Sequence, residues 1–179
     1  MMRKLFIYFY IIIPLLLMNC GKTYQIKYEN PVNPSLSSYK TVFIGWLDFN
    51  ETKWKQYGFK SPKEWTGVIA NLNIDSLQAY VKSQLSGRRI NGAKSKSQNP
   101  GKEDIYITFY LKKHYIATGL NRIQELYLIV NYIDMKKGKI VYSASVMVDS
   151  QGFGTGNFTL EGQLNFAMKN LAQFIASKL

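Results

Sequence analysis

Apolar residues along this chain follow two periods. "YKTVFIGWLDFN" (39–50) sets Val42, Ile44 and Trp46 against Phe43, Gly45 and Leu47, so both faces are apolar. Such a run predicts a strand covered on both sides, with Gly45 at a bulge or a close backbone contact. "EDIYITFYLKKHYI" (103–116) alternates more cleanly. Ile105, Ile107, Phe109 and Leu111 share one face, and Tyr106, Thr108, Tyr110 and Lys112 the other. The runs either side of "DMKKGK" (134–139) are β-rich, and Gly138 supplies the turn of a hairpin.

Two segments carry the helical period instead. "SPKEW" opens the first, with Ser61 as N-cap, Pro62 at the first helical position and Glu64 completing a capping box. Trp65, Ile69 and Leu72 form its stripe. Gly67, Asn71 and Asn73 weaken the middle, so a break or kink is expected, then a second stretch from about Ile74 to Leu85 on Leu77, Val81 and Leu85. The second segment ends the chain and places Leu160, Leu164, Ala167, Met168, Leu171, Phe174 and Ile175 on one face. The order β-α(α)-β-β-β-α predicts an α+β fold, a two-layer sandwich with helices on one face of a mostly antiparallel sheet. Tyr106, Tyr110 and Tyr142 are candidates for an aromatic opposite face left partly open. In outline this is similar to small α+β envelope lipoproteins such as the lipopolysaccharide-assembly lipoprotein family, a likeness of topology that carries no site residues.

The N-terminus changes the picture. Arg3 and Lys4 precede an uncharged run from Leu5 to Met18, the layout of a secretory signal. A helix of that length covers only about 21 Å, against a hydrocarbon core of about 30 Å, and Pro14 interrupts it. The run closes on Leu17-Met18-Asn19-Cys20-Gly21, with Asn19 where a small residue is usual. This resembles the lipobox of bacterial lipoproteins. The resemblance implies removal of residues 1–19 and acylation of Cys20, with Gly21 favouring the outer membrane over retention at the inner one. Several acyl chains give stable anchoring where one would be marginal. Cys20 is the single cysteine, so no internal disulfide is expected.

The processed chain would hold 160 residues, enough for one domain with one core, here 39–179. Residues 20–38 are rich in Gly, Asn, Pro and Ser and read as an acylated flexible tether reaching roughly 25 Å. With Arg3 and Lys4 gone, 21 basic residues face 11 acidic ones. A +10 surface attracts anionic lipid or lipopolysaccharide phosphate; nucleic acid is not an expected partner in the envelope.

Candidate chemistry is sparse. Gly152, Gly154 and Gly156 form G-x-G-x-G, without the spacing or the Lys-Ser/Thr of a phosphate loop. His114 is the one histidine and is expected as a surface strand residue. Neither a metal ligand set nor a nucleophile motif appears, and no cofactor is expected. Asp48 and Glu51 are close in sequence, which a solvated pair or a cap explains. Two stretches are candidate binding surfaces. One is the aromatic loop with Trp54, Tyr57 and Phe59, flanked by Lys53, Lys55 and Lys60; the other is the basic loop from Gly87 to Asp104 with Arg88, Arg89, Lys94 and Lys96. Together these favour a non-enzymatic, lipid-anchored envelope protein that binds a protein partner or an anionic amphiphile. The alternative is a membrane-tethered hydrolase that modifies the cell envelope.

Overall fold

One mixed sheet collects every strand of the chain that the computed structural model describes, namely those within residues 24–31, 36–49, 54–55, 57–116, 124–150 and 159–179. Leu17 to Cys20, Glu51, Lys53 and the glycine loop 151–158 lie outside the described residues. The strands are β1 (Tyr24–Pro31), β2 (Thr41–Ile44), β3 (Arg89–Gly92), β4 (Ile105–Ile116), β5 (Gln124–Asp134) and β6 (Lys139–Asp149), in the spatial order β1-β6-β5-β4-β2-β3. The β1–β6, β6–β5 and β5–β4 pairs are antiparallel; β2 runs parallel to both β3 and β4. Helices α1 (62–84) and α2 (Leu160–Lys178) pack on one face, giving the two-layer α+β sandwich.

Two strands differ from the sequence reading. Tyr24–Pro31, expected within the flexible tether, is an edge strand whose Tyr24 lies opposite Val148. The tyrosine ring packs edge-on to Phe174 of α2 at 5.5 Å between centroids, which gives a polar segment a hydrophobic reason to dock. Arg89–Gly92, expected as loop, is a short second edge held by main-chain pairing with β2. The N–H of Arg89 donates to Lys40 O at 3.0 Å and that of Ala93 to Ile44 O at 2.9 Å.

The capped helix forms as expected. Ser61 Oγ accepts from Glu64 N–H at 3.2 Å, while Glu64 reaches back to Lys60 N–H at 2.8 Å. The expected break is instead a widening of an uninterrupted helix. Pro62–Asn71 passes into a π-helical stretch, Leu72–Gln78, and returns to α at Ala79–Gln84. Asn73 explains the change. Its side chain is buried and donates to Ile69 O at 3.0 Å, the carbonyl its own main-chain N–H would use in an α-helix.

The core lies between the layers. Inward residues of the sheet, including Val42, Ile44, Ile105, Ile107, Leu126, Leu128, Val130 and Val146, meet Leu77 and Val81 of α1 and the stripe Leu164, Met168, Leu171 and Ile175 of α2. Tyr132 is fully buried among them. Gly45 makes the close contact its position suggested. Its N–H donates to Ile107 O at 2.8 Å, and a Cβ there would sit 2.6 Å from that same oxygen. The hairpin turns at Gly138, whose φ of 61° lies in the left-handed region glycine tolerates.

The outer face of the sheet carries Tyr28, Tyr106, Tyr110, Tyr115 and Tyr127, with Tyr28 and Tyr110 the most open at 66% and 64% exposure. Tyr142 is not among them. It points inward beside Tyr132, 5.2 Å between ring centroids, and its hydroxyl donates to Glu29 at 2.6 Å. Strand β6 turns its apolar set Tyr142, Ala144, Val146 and Val148 to the helices, which fixes that tyrosine's side.

Candidate functional site: a cleft at the free edge of β4

Strand β2 is four residues long and β4 is twelve. Their pairing covers only Ile105 to Ile107. Beyond Ile107 the chain of β2 leaves the sheet as Gly45 to Phe49, and a cleft of about 600 Å³ opens where a longer strand would lie. The run from Phe109 to His114 forms one wall, and Asp48, Phe49, Tyr57 and Lys96 form the other. A smaller cavity of about 230 Å³ adjoins it, sharing Asp48, Phe49 and Lys96 and reaching Trp46, Trp65 and Lys94.

An aromatic cluster floors and lids this region. Tyr57 and Phe59 stack at a tilt on Trp65, with centroids 5.0 and 4.9 Å away, and Phe49 meets the same indole edge-on at 6.0 Å. Trp65 is fully buried, and its indole N–H has no acceptor among the described residues. Tyr57 also covers His114 at 4.9 Å. Burial raises the Tyr57 hydroxyl above its ordinary pKa, so it stays a neutral donor. Trp54 is half-buried against the core, with the Lys55 ammonium 5.4 Å over its ring. The aromatic loop is thus a lid whose rings mostly cover Trp65, with Tyr57 turned to the cleft.

His114 corrects the expectation of a surface position. The β4–β5 register shifts between Leu111 and Lys113, and the extra residue reverses the alternation. His114 therefore turns inward, where Phe49 meets it edge-on at 5.9 Å and its Nε2 lies 2.6 Å from Gln124 Oε1. Gln124 Nε2 in turn donates to Gln163 Oε1 at 3.1 Å. That chain makes His114 Nε2 the donor to Gln124.

The basic loop divides. Lys96 binds Asp48 at 2.6 Å on the wall of the cleft, and Lys94 lines the smaller cavity. Arg88 and Arg89 stand at the other end of β3. The Arg88 guanidinium donates to Leu36 O, Ser37 O and the main-chain oxygen of Leu179, fastening three segments of chain. Arg89 is exposed on the outer edge. Sequence reasoning places Tyr57 and Lys96 in binding regions, and here both line the cleft; it misses Lys112 and Lys113, which line it from β4. Asp48 is an ion-pair partner of Lys96; Glu51, its neighbour in sequence, is outside the described residues. Among the described residues no cluster of His, Cys, Asp and Glu has the makings of a metal site.

Comparison with known proteins adds the fold. No protein-family model and no curated protein sequence matches the chain. Among solved structures it is similar to a dodecameric PelC of Paraburkholderia phytofirmans, in a form carrying one substitution, at 12% identity and a TM-score of 0.50, covering 86% of this chain and 95% of that one. A minor lipoprotein from Acinetobacter baumannii aligns at 12% identity over 78% of this chain and 91% of that one, TM-score 0.34. Lipoprotein GNA1162 from Neisseria meningitidis aligns at 13% over 76% and 98%, TM-score 0.29. At such identities the PelC likeness is one of fold.

Proposed function

We propose that this chain is a bacterial envelope lipoprotein, anchored through acylated Cys20 in the outer membrane, that works by binding a partner protein and not by catalysis. The observation that carries the binding half is the cleft beside β4. Its walls carry apolar Phe49 and Phe109 beside Lys96, Lys112 and Asp48, the composition of a recognition surface. The anchoring half rests on Leu17-Met18-Asn19-Cys20 and on the short apolar run before it. A hydrolase would need a base beside a nucleophile. In the described cleft the His114 Nε2 is engaged by Gln124 and the Asp48 carboxylate by Lys96. An anionic amphiphile in the same cleft is the competing ligand class.

Mass spectrometry of the mature N-terminus with membrane fractionation tests the anchor. The wild type should carry acyl mass on Cys20 and sediment with outer membrane. Cys20→Ser should remain unprocessed and unacylated. Identical mass and partition for the two would overturn the reading.

A further inference from the structure

We propose that the cleft takes a short, extended, acidic segment of a partner protein, which adds to the sheet as a strand along Phe109 to His114. This rests on the binding function proposed above and gives it a partner chemistry.

The main chain of β4 supplies the argument. Gly45 N–H donates to Ile107 O, so the peptide groups of Ile107 face β2. Peptide groups alternate sides along a strand, so those of Phe109 and Leu111 face the same way, toward the cleft, while Thr108 and Tyr110 face β5. No described strand pairs with β4 there. The cleft is therefore bounded by the main-chain donors and acceptors of Phe109 and Leu111, spaced for a strand as far as the bulge. Unpaired edges are sites where extended peptides bind.

Size and charge narrow the occupant. The edge is recessed between β4 and the wall of Phe49 and Tyr57, and the bulge after Leu111 bends it. Both features oppose the long, flat edge of another sheet, as exposed lysines do. They admit a single strand. Lys96 and Lys112 outnumber Asp48 around the opening, while the Lys113 ammonium turns to the Tyr115 and Tyr127 rings; this balance selects a segment with carboxylates.

The test uses the full chain in detergent and a blocked seven-residue peptide alternating glutamate and valine. Three further ligands are compared: the same peptide with alternate amides N-methylated, its lysine counterpart, and dodecyl phosphate. The acidic peptide should bind and slow hydrogen exchange at the Phe109 and Leu111 amides about tenfold or more. N-methylation should weaken binding by roughly tenfold or more, because main-chain donors are lost while side chains remain. Lys112→Glu, at an exposed position, should weaken the acidic peptide and leave the melting temperature unchanged. No binding by the acidic peptide, equal binding by its N-methylated form, or protection of those amides by dodecyl phosphate alone would each overturn strand addition. Any of these would leave the acylated anchor standing, since that is read from the mature N-terminus.

Discussion

The side chain of Asn73 binds both main-chain groups of Leu47. Its Oδ1 accepts from Leu47 N–H at 2.7 Å, and its Nδ2 donates to Leu47 O at 3.0 Å. One amide thus completes the strand that β2 leaves unfinished and fixes the segment forming the far wall of the cleft. Asn73 is 1% exposed and Leu47 is fully buried, so water cannot replace it. An unsatisfied buried polar group costs about 1–3 kcal/mol. Asn73→Leu should therefore lower unfolding free energy by about 3 kcal/mol or more, seen as an earlier midpoint in urea. It should also return Leu72–Gln78 toward α-helical hydrogen bonding, detectable by hydrogen exchange.

The second prediction concerns α2. Leu171 is fully buried, whereas Lys169 is exposed with its ammonium 5.8 Å from the rings of Tyr80 and Phe166. Leu171→Ala should cost about 2–5 kcal/mol through lost burial and the cavity left behind. Lys169→Ala should change stability by less than about 1 kcal/mol. Thermal unfolding of the two variants separates them.

A third prediction follows from carboxylates. Asp134 accepts from the Tyr39 hydroxyl at 2.8 Å and from the N–H groups of Lys136 and Lys137, and the Tyr39 bond leads in lowering its pKa. Asp104 is lowered chiefly by the Thr41 hydroxyl, and Glu29 chiefly by Lys178. A group whose folded pKa lies below its unfolded value, about 4 for these acids, stabilises the fold above that value. The contribution fades as pH falls through the folded pKa. Stability should thus be steady near neutrality and decline below about pH 4. Asp134→Asn should be less stable at pH 7 and show a shallower acid decline, measured as urea midpoints across pH.

The fourth prediction is steric. Gly45→Ala places a Cβ 2.6 Å from Ile107 O and 2.9 Å from the Tyr106 ring. The strand pair must separate, at a cost of about 1–3 kcal/mol. Gly67→Ala, where no atom of the described residues lies within 4 Å on an exposed helix face, should stabilise by several tenths to about 1 kcal/mol. Denaturation midpoints should move in opposite directions.

Elements with a strong local period are legible in the sequence. The capped helix, the hairpin at Gly138 and the α2 stripe all announce themselves within a few residues. What is illegible depends on distant partners. "YQIKYENP" carries an alternating Tyr24, Ile26 and Tyr28, yet its pairing residues lie in β6, more than a hundred positions away. "RING" has no apolar period and is a strand only because β2 lies alongside. The bulge that turns His114 inward inserts one residue and leaves no trace in composition. The aromatic loop stands out in the sequence as a surface of interest, but its place as a lid needs Trp65 beneath it. The free edge of β4 comes from the shortness of β2, and strand lengths are the least readable feature of alternating sequence.

Strand β1 begins at Tyr24, only four positions after Cys20. Fully extended, that stretch spans at most about 14 Å. With Cys20 acylated as proposed, such a leash limits how far the fold can stand from the anchor. Under that proposal the β1 edge, where Tyr24 sits by the last turns of α2, is the part of the fold nearest the anchor. Four of the six strands lie on the path from that edge to the cleft, from β1 through β6 and β5 to β4. The proposed binding cleft then stands at a fixed distance across the sheet from the anchored edge, a spacing set by folded architecture in place of slack.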